Sequence, residues 1–472
     1  MNSHAVILGA GMAGLMAAGV LSEFYDMVTV LEGDALPDRA VQRKGVPQGR
    51  HLHNFLARGT QILDELFPGI LDELAATGAV VDDRDDLSGV HVRMGRYVLN
   101  PSGRLTDPRP LVAYQASRPF MESHVRRRVA ALGNVTIVDN HEAVEPVITG
   151  DTVTGVRIIN RATGTGSVMP SRLVVDATGR GSRTPHFLEG HGFGAVPVQQ
   201  IPSAWGYSSQ LLHLPAGSIS ERMVFINEGN AAAGALLLAY EHNTWMLAIA
   251  QPAECGSPPA DFAAMMDMAE NLLPPTIAAA LRGGIPVGAF SVARSTAATW
   301  RRYDRNSRHP EGLIIAGDAL CSLNPLHGQG MTVAALQALA LRDCLQAGQT
   351  NLPERFYRAA AQHIAPVWAM NRAADTAPSP ETARTIGHRI MNWTQRAVAR
   401  AASRDMAVTE PILRVRGLID PPARLRDPSL FGKVLLANIR GPQRNTDQGS
   451  HQCFSKDERF GVSSARRRSV NE

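Results

Sequence analysis

The residues that first suggest chemistry are glycines at fixed spacing. Gly9-Ala10-Gly11-Met12-Ala13-Gly14 follows an apolar run, and an acid, Glu32, stands 18 residues beyond Gly14. The pattern predicts a buried strand over 4–8, a helix through residue 21 and a second strand over 27–31 that ends at Glu32. In such a unit Gly9 permits the tight turn, Gly11 lets backbone approach a pyrophosphate, and Gly14 lets the helix lie against the strand. The helix N-terminus offers unpaired N–H groups and a positive dipole end to phosphates. Glu32, at the tip of the second strand, is placed to accept ribose hydroxyls. Strand, helix and spaced acid together predict dinucleotide binding; glycines alone would predict only a turn.

A second stretch, GLIIAGDALCSLNPLHGQGMT over 312–332, has an equally direct reading. A buried strand lands on Gly317-Asp318, whose carboxylate can take a ribityl hydroxyl. A loop with Pro325 then enters a helix through Gly328-Gln329-Gly330-Met331. Glycines there let N–H groups approach a planar ring and stabilise negative charge on it. A nicotinamide would need no second helix terminus, whereas a reduced flavin would benefit from one. Between these segments lies VVDATGRGSR at 174–183.

Other chemical candidates are weaker. Arg50, His51 and His53 share a loop and could orient substrate or stabilise a reduced ring; they read equally well as satisfied loop residues. The same two readings hold for His327. Cys321 and Met331 read as packing groups, and Trp205, Tyr207, Trp245 and Phe290 as pocket or core aromatics. Neither a metal site nor a Ser/His/Asp nucleophile is suggested.

The elements that must position these groups fit a large composite chain. Of 472 residues, 44% are apolar and 19% charged, enough to bury a sizeable core. Basic residues number 47 and acidic 43, a net charge of +4, and only Lys44, Lys433 and Lys456 are lysines. Tight basic clusters occur only at 126–128 and 466–468, which disfavours a nucleic-acid partner. Cys255, Cys321, Cys344 and Cys453 are widely spaced and suggest neither a disulfide framework nor a zinc knuckle, so the cytoplasm is the expected compartment. The apolar run over 5–21 lacks a basic flank, is short for a span and holds four glycines, so no transmembrane segment is expected.

The dinucleotide unit is interrupted and then resumed. Residues 43–59 (RKGVPQGRHLHNFLARG) form a polar loop entering a helix, whose apolar positions Leu63, Leu66, Leu71 and Leu74 are broken at Pro68-Gly69. Short strands and turns over 80–110 precede an amphipathic helix over 117–132 with Pro119 at its start. Strands follow at 135–138, 153–159 and 172–176. Between 190 and 300, apolar runs at 234–240, 245–250 and 286–293 predict an inserted antiparallel sheet. After a helix over 330–347 the chain is helical and Arg-rich, and beyond 441 it is polar, aperiodic and expected to be disordered.

GAGMAG, DATGRGSR and GD…P…GxGxxxA (Gly317, Asp318, Pro325, Gly328, Gly330, Ala334) resemble the class A FAD-dependent monooxygenases, the aromatic-hydroxylase-like fold. With RKGVPQGRHLH, SRP at 117–119 and NPLHGQGM at 324–331, the chain looks most like the olefin epoxidases of polyether antibiotic pathways, of the monensin and lasalocid type. The similarity covers residues 4–345. It implies an α/β chain: a Rossmann-type FAD-binding domain, an inserted antiparallel β-sheet substrate domain and a helical C-terminal part. The FAD domain would comprise 1–84, 116–189 and 301–350, and the substrate domain 85–115 and 190–300; 351–440 would be helical and 441–472 a disordered tail.

Carried over by position, the resemblance places Ala13 and Gly14 at the pyrophosphate, in the same cofactor-binding turn as Gly9 and Gly11, and Glu32 at the adenosine ribose. Arg118 would contact the phosphate or ribose region, and Val144 the adenine through its backbone. Asp318 would hold the ribityl-pyrophosphate part, and Gly328, Gly330 and Met331 would meet the ring. Two positions depart from the family: its DG fingerprint, linked to NAD(P)H use, is here DATGRGSR, and His327 stands where relatives often carry an aromatic residue.

The implied reaction uses FAD and NADPH or NADH, supplied directly or through a flavin reductase. One atom of dioxygen would pass by a flavin hydroperoxide to an apolar secondary metabolite, as an epoxide on a polyketide-type olefin. Aromatic hydroxylation is one alternative, and an FAD-bound, non-redox cyclase catalysing a cycloaddition is another. Epoxidation needs no base to deprotonate the substrate, and the sequence offers no convincing one. No WxWxIP motif is present, which disfavours halogenation.

Overall fold

The computed structural model describes residues 3–100, 103–229, 232–294, 297–376 and 385–439; the tail expected to be disordered falls outside them. Short Val-, Ile- and Leu-rich segments form a five-stranded parallel sheet in the order Leu313–Ile315, Leu173–Asp176, His4–Leu8, Met27–Leu31, Val135–Val138. Ile7 is flanked by Val30 and Val175, and all three are fully buried, as a sheet covered on both faces requires. The strand order reverses between His4–Leu8 and Leu173–Asp176, which opens a crevice beyond their carboxyl ends. The α/β reading therefore holds.

The helix Met12–Leu21 packs between this sheet and the helix Gly330–Gln346. Its Leu15 and Leu21 are fully buried, each stabilising the packing by roughly 1.5–3 kcal/mol. A three-stranded antiparallel meander, His141–Thr149, Thr152–Asn160 and Gly166–Pro170, interrupts the parallel order.

A seven-stranded sheet runs Ile285–Arg294, Trp205–His213, Thr244–Pro252, Gly234–Tyr240, Met223–Asn227, Val90–Met94, Tyr97–Val98. Its pairs are antiparallel except Met223–Asn227 with Val90–Met94. Alternation divides the two faces. Leu212, Leu237, Leu247 and Ile249 pack under the helices Phe262–Leu272 and Pro275–Arg282, while Tyr207, Ser209, Leu236 and Ala248 turn to the crevice. Those two helices correct the reading of 190–300 as sheet alone. Asp261 caps the first by accepting from Ala264 N–H at 2.9 Å, and the 3.6-residue spacing of Met265, Ala269 and Leu272 supplies its buried face.

The helices Ile386–Ala402, Met406–Arg416 and Pro428–Ile439 close over Leu87, Val92 and Leu99. Among the described residues no helix is long and apolar enough to cross a membrane. Cys321 and Cys344 are buried free thiols.

Candidate functional site

One cavity of about 1490 Å³ runs from the carboxyl ends of the parallel strands, under the inner face of the large sheet, to the C-terminal helices. The three glycine-containing segments, more than a hundred residues apart in sequence, share its wall. Gly9 has φ +100°, and a Cβ there would stand 2.8 Å from the Ala177 carbonyl oxygen. A Cβ at Gly14 would meet the Gly9 carbonyl oxygen at 1.9 Å, so Gly14 lets helix and strand touch. Gly14 turns its Cα towards the strand, while Gly9, Gly11 and Ala13 line the cavity.

Glu32 accepts from the N–H groups of Ala10 and Asp34 at 3.0 and 3.1 Å and stands 3.1 Å from Arg43 Nη1. Arg43 also donates through Nε to Glu122 Oε1 at 2.8 Å, and Glu122 in turn pairs with Arg118 at 3.1 Å. All three of these side chains are buried. Burial opposes the charge of Arg43, but Glu122 and Glu32 outweigh it and hold the guanidinium above its ordinary range. Arg43 was not singled out in the sequence, although its segment was.

Gly317, at φ +62°, lets the strand end pass Ala13: a Cβ at Gly317 would stand 2.6 Å from that of Ala13. Asp318 follows, its carboxylate on the cavity wall with no hydrogen bond among the described residues and Arg180 Nε at 3.8 Å. Burial pushes this carboxyl above its usual range against the pull of Arg180, Arg118 and Arg301. A Cβ at Gly330 would lie 3.9 Å from Asp318 Oδ1, so the N-terminus of the helix Gly330–Gln346 opens beside that carboxylate. Gly328 (φ +65°) and Met331 line the same stretch. Asp176 of DATGRGSR is committed to its own turn, accepting from Thr178, Ser182 and Thr184 hydroxyls at 2.5–2.6 Å.

Val144 lines the cavity from a bulge. The register runs Ala143 to Ile158 and then Glu145 to Arg157, leaving Val144 without a ladder partner.

The catalytic candidates separate. His51 donates or accepts through Nδ1 with Ser209 Oγ at 3.0 Å and meets the Tyr207 ring edge at 4.7 Å. His53 Nδ1 stands 3.0 Å from the His51 carbonyl oxygen. Burial, with Arg50 nearby, lowers His51 to about 4; burial, with Arg118, lowers His53 to about 3. Both therefore line the cavity as neutral rings. Arg50 is exposed and does not line it, so the structure withdraws it from the site. His327 lines the cavity with Nε2 2.8 Å from Asp375 Oδ1. Asp375, missed in the sequence because it lies 48 residues away, ends the helix Leu352–Asp375. Trp205 and Tyr207 line the cavity, whereas Trp245 and Phe290 belong to the core under the two helices. Beyond the polar end the lining is apolar, with Leu87, Val92, Leu99, Met223 and Leu236. Among the described residues no group of three or more His, Cys, Asp or Glu is placed to hold a metal ion.

FAD suits this wall: the close-packed turns at Gly9 and Gly317 and the Asp318 carboxylate, which makes no hydrogen bond among the described residues, stand along it.

No family model matches the chain. It is 35% identical to Protein Rv3254 of Mycobacterium tuberculosis over 457 residues, covering 93% of this chain and 94% of that one. It is 26% identical to a kynurenine 3-monooxygenase of Salinispora arenicola over 73% of each chain. Among solved structures, p-nitrophenol 4-monooxygenase PnpA of Pseudomonas putida superposes with TM-score 0.64 at 17% identity, covering 89% of this chain and 99% of that one. The fold is that of the FAD-binding flavoprotein monooxygenases.

Proposed function

The chain belongs to the family of the mycobacterial Protein Rv3254, and from that premise we propose that it is an FAD-dependent monooxygenase acting on an apolar small molecule. The observation that carries the reading is the meeting of Ala13, Gly317, Asp318 and Gly330 at one cavity wall. Gly9, Gly11 and Ala13, with Arg43 and Arg118 behind them, hold the pyrophosphate. Glu32 takes the adenosine ribose and Val144 the adenine. Asp318 takes the ribityl hydroxyls, while Gly328, Gly330 and Met331 meet the ring at a helix N-terminus. Bound FAD, reduced by NADPH or NADH directly or through a flavin reductase, supplies activated oxygen.

The protein's own part is placement and the exclusion of water. The apolar wall of Leu87, Val92, Leu99, Met223 and Leu236 favours a hydrocarbon-rich substrate. With the neutral His51 and His53 beside it, it supports epoxidation of an olefin, in keeping with the resemblance to polyether epoxidases. The His327–Asp375 pair favours a second reading, aromatic hydroxylation, because it offers a base to a phenolic proton.

Incubation of candidate olefins and phenols with the protein, FAD, NADPH and heavy-isotope oxygen gas tests the proposal. One labelled atom per product is expected, in an epoxide on the first reading and in a ring hydroxyl on the second. A product of unchanged mass, formed anaerobically without reductant, would instead establish a cyclase.

A further inference from the structure

The helix Leu352–Asp375 packs against the helix Gly330–Gln346. Phe356, Ala360, Ile364, Val367 and Trp368 form its buried stripe, at steps of about one turn. The same stripe continues through Asn371 and Asp375, where the helix reaches the cavity, and there it changes from hydrocarbon to amide and carboxylate. Asn371 is only 1% exposed. An asparagine favours turns over helix interiors, and an amide gains nothing from burial without hydrogen bonds. Leucine would extend the stripe, so helix packing alone does not account for the residue.

Its hydrogen bonds do. Asn371 Nδ2 donates to the Val367 carbonyl oxygen of its own helix at 2.9 Å and to Gln329 Oε1 at 2.6 Å. One turn further on, Asp375 engages His327 Nε2 at 2.8 Å and Asn324 Nδ2 at 3.0 Å. Two positions on one helix face thus hold three side chains of the loop that leads into the helix Gly330–Gln346, with Gly328 at φ +65° between His327 and Gln329.

Gln329 occupies the N-cap position of that helix, and its side chain makes no capping bond. A helix leaves its first N–H groups without partners of its own, and a capping side chain competes for them with a ligand. With its amide oxygen engaged by Asn371, Gln329 is drawn away from those N–H groups, and Gly330 and Met331 line the cavity.

We propose that Asn371 is a positioning residue: by holding Gln329 it keeps the first turn of the helix Gly330–Gln346 aimed at the flavin ring and uncapped. A positive helix end fixed in this way stabilises the reduced, anionic ring more than the oxidised one. The inference rests on the FAD reading of the cavity wall, and its test separates the two.

The unaltered chain, Asn371→Leu, Gln329→Leu and the double variant are reconstituted with FAD, and the midpoint potential of the bound flavin is measured by photometric titration against a reference dye. Each single variant is expected to bind reduced FAD about tenfold more weakly relative to oxidised FAD, the scale of a helix end acting on a partly buried charge. That ratio is a two-electron potential lower by about 30 mV. The double variant should fall no further than either single one, because all three lack the same bond. A contact that merely ties the two helices together would move the melting temperature and leave the potential where it was. An unchanged potential in either single variant, or shifts that add in the double variant, would overturn the inference and leave the FAD reading intact. An unaltered chain that binds no FAD would overturn both.

Discussion

His327 and Asp375 face each other with Nε2 2.8 Å from Oδ1, and Asn324 Nδ2 donates to the second carboxylate oxygen at 3.0 Å. The carboxylate accepts from Nε2–H, so Nδ1 is the ring nitrogen not engaged by Asp375. Asp375 is nearly enclosed, with 5% of its side chain exposed against 25% for His327, so the imidazole is the member that substrate can reach.

If this pair moves a proton, His327→Ala lowers kcat about a hundredfold with little change in FAD affinity, and added imidazole restores part of the loss. Asp375→Asn, which removes the orienting charge, lowers kcat less and leaves KM nearly unchanged. Steady-state kinetics with flavin titration of both variants checks this; unaltered kcat in both would make the pair a structural contact.

Asp318→Asn is expected to weaken FAD binding by roughly ten- to a hundredfold, the loss of one hydrogen bond to a charged group. Because the carboxylate makes no hydrogen bond within the protein, the apoprotein should keep its thermal midpoint. Equilibrium titration of FAD into apoprotein measures the first effect and a melting curve the second.

Gly14→Ala puts a methyl group on a backbone oxygen that cannot retreat. Destabilisation of about 1–3 kcal/mol, the usual range for overpacking, is expected, together with weaker FAD binding. The same change at Gly133, where a Cβ would meet nothing, should be nearly neutral. Denaturant midpoints of the two variants make the comparison.

The lowered His51 and His53 predict a pH dependence of stability. In the unfolded chain both titrate near 6.5, in the fold near about 4 and about 3. Over the interval between, the unfolded state binds more protons, so stability falls as pH drops from 6.5 towards 4 and is unaffected by these groups above 6.5. The double variant H51N/H53N should flatten that slope in denaturant unfolding at a series of pH values.

What was legible in the sequence is what local backbone geometry imposes. Gly9 and Gly317 occupy conformations at φ +100° and +62° that other residues avoid, and Glu32 and Asp318 sit at strand ends a fixed step beyond. Arg43 and Asp375 escaped notice because their meaning lies in partners that only the fold supplies: Glu122 is 79 residues from Arg43. Arg50 misled for the converse reason, since adjacency to His51 in sequence did not turn it into the cavity. The helices Phe262–Leu272 and Pro275–Arg282 were overlooked because the strands on either side dominate the apolar pattern of that region.

The central claim is that the three segments assemble one FAD site, and the flavin itself tests it most directly. The purified chain, reconstituted with FAD, desalted and then denatured, is expected to release FAD in a one-to-one ratio as identified by chromatography and absorbance, and D318N should release markedly less. A chain that releases no FAD after reconstitution would contradict the account.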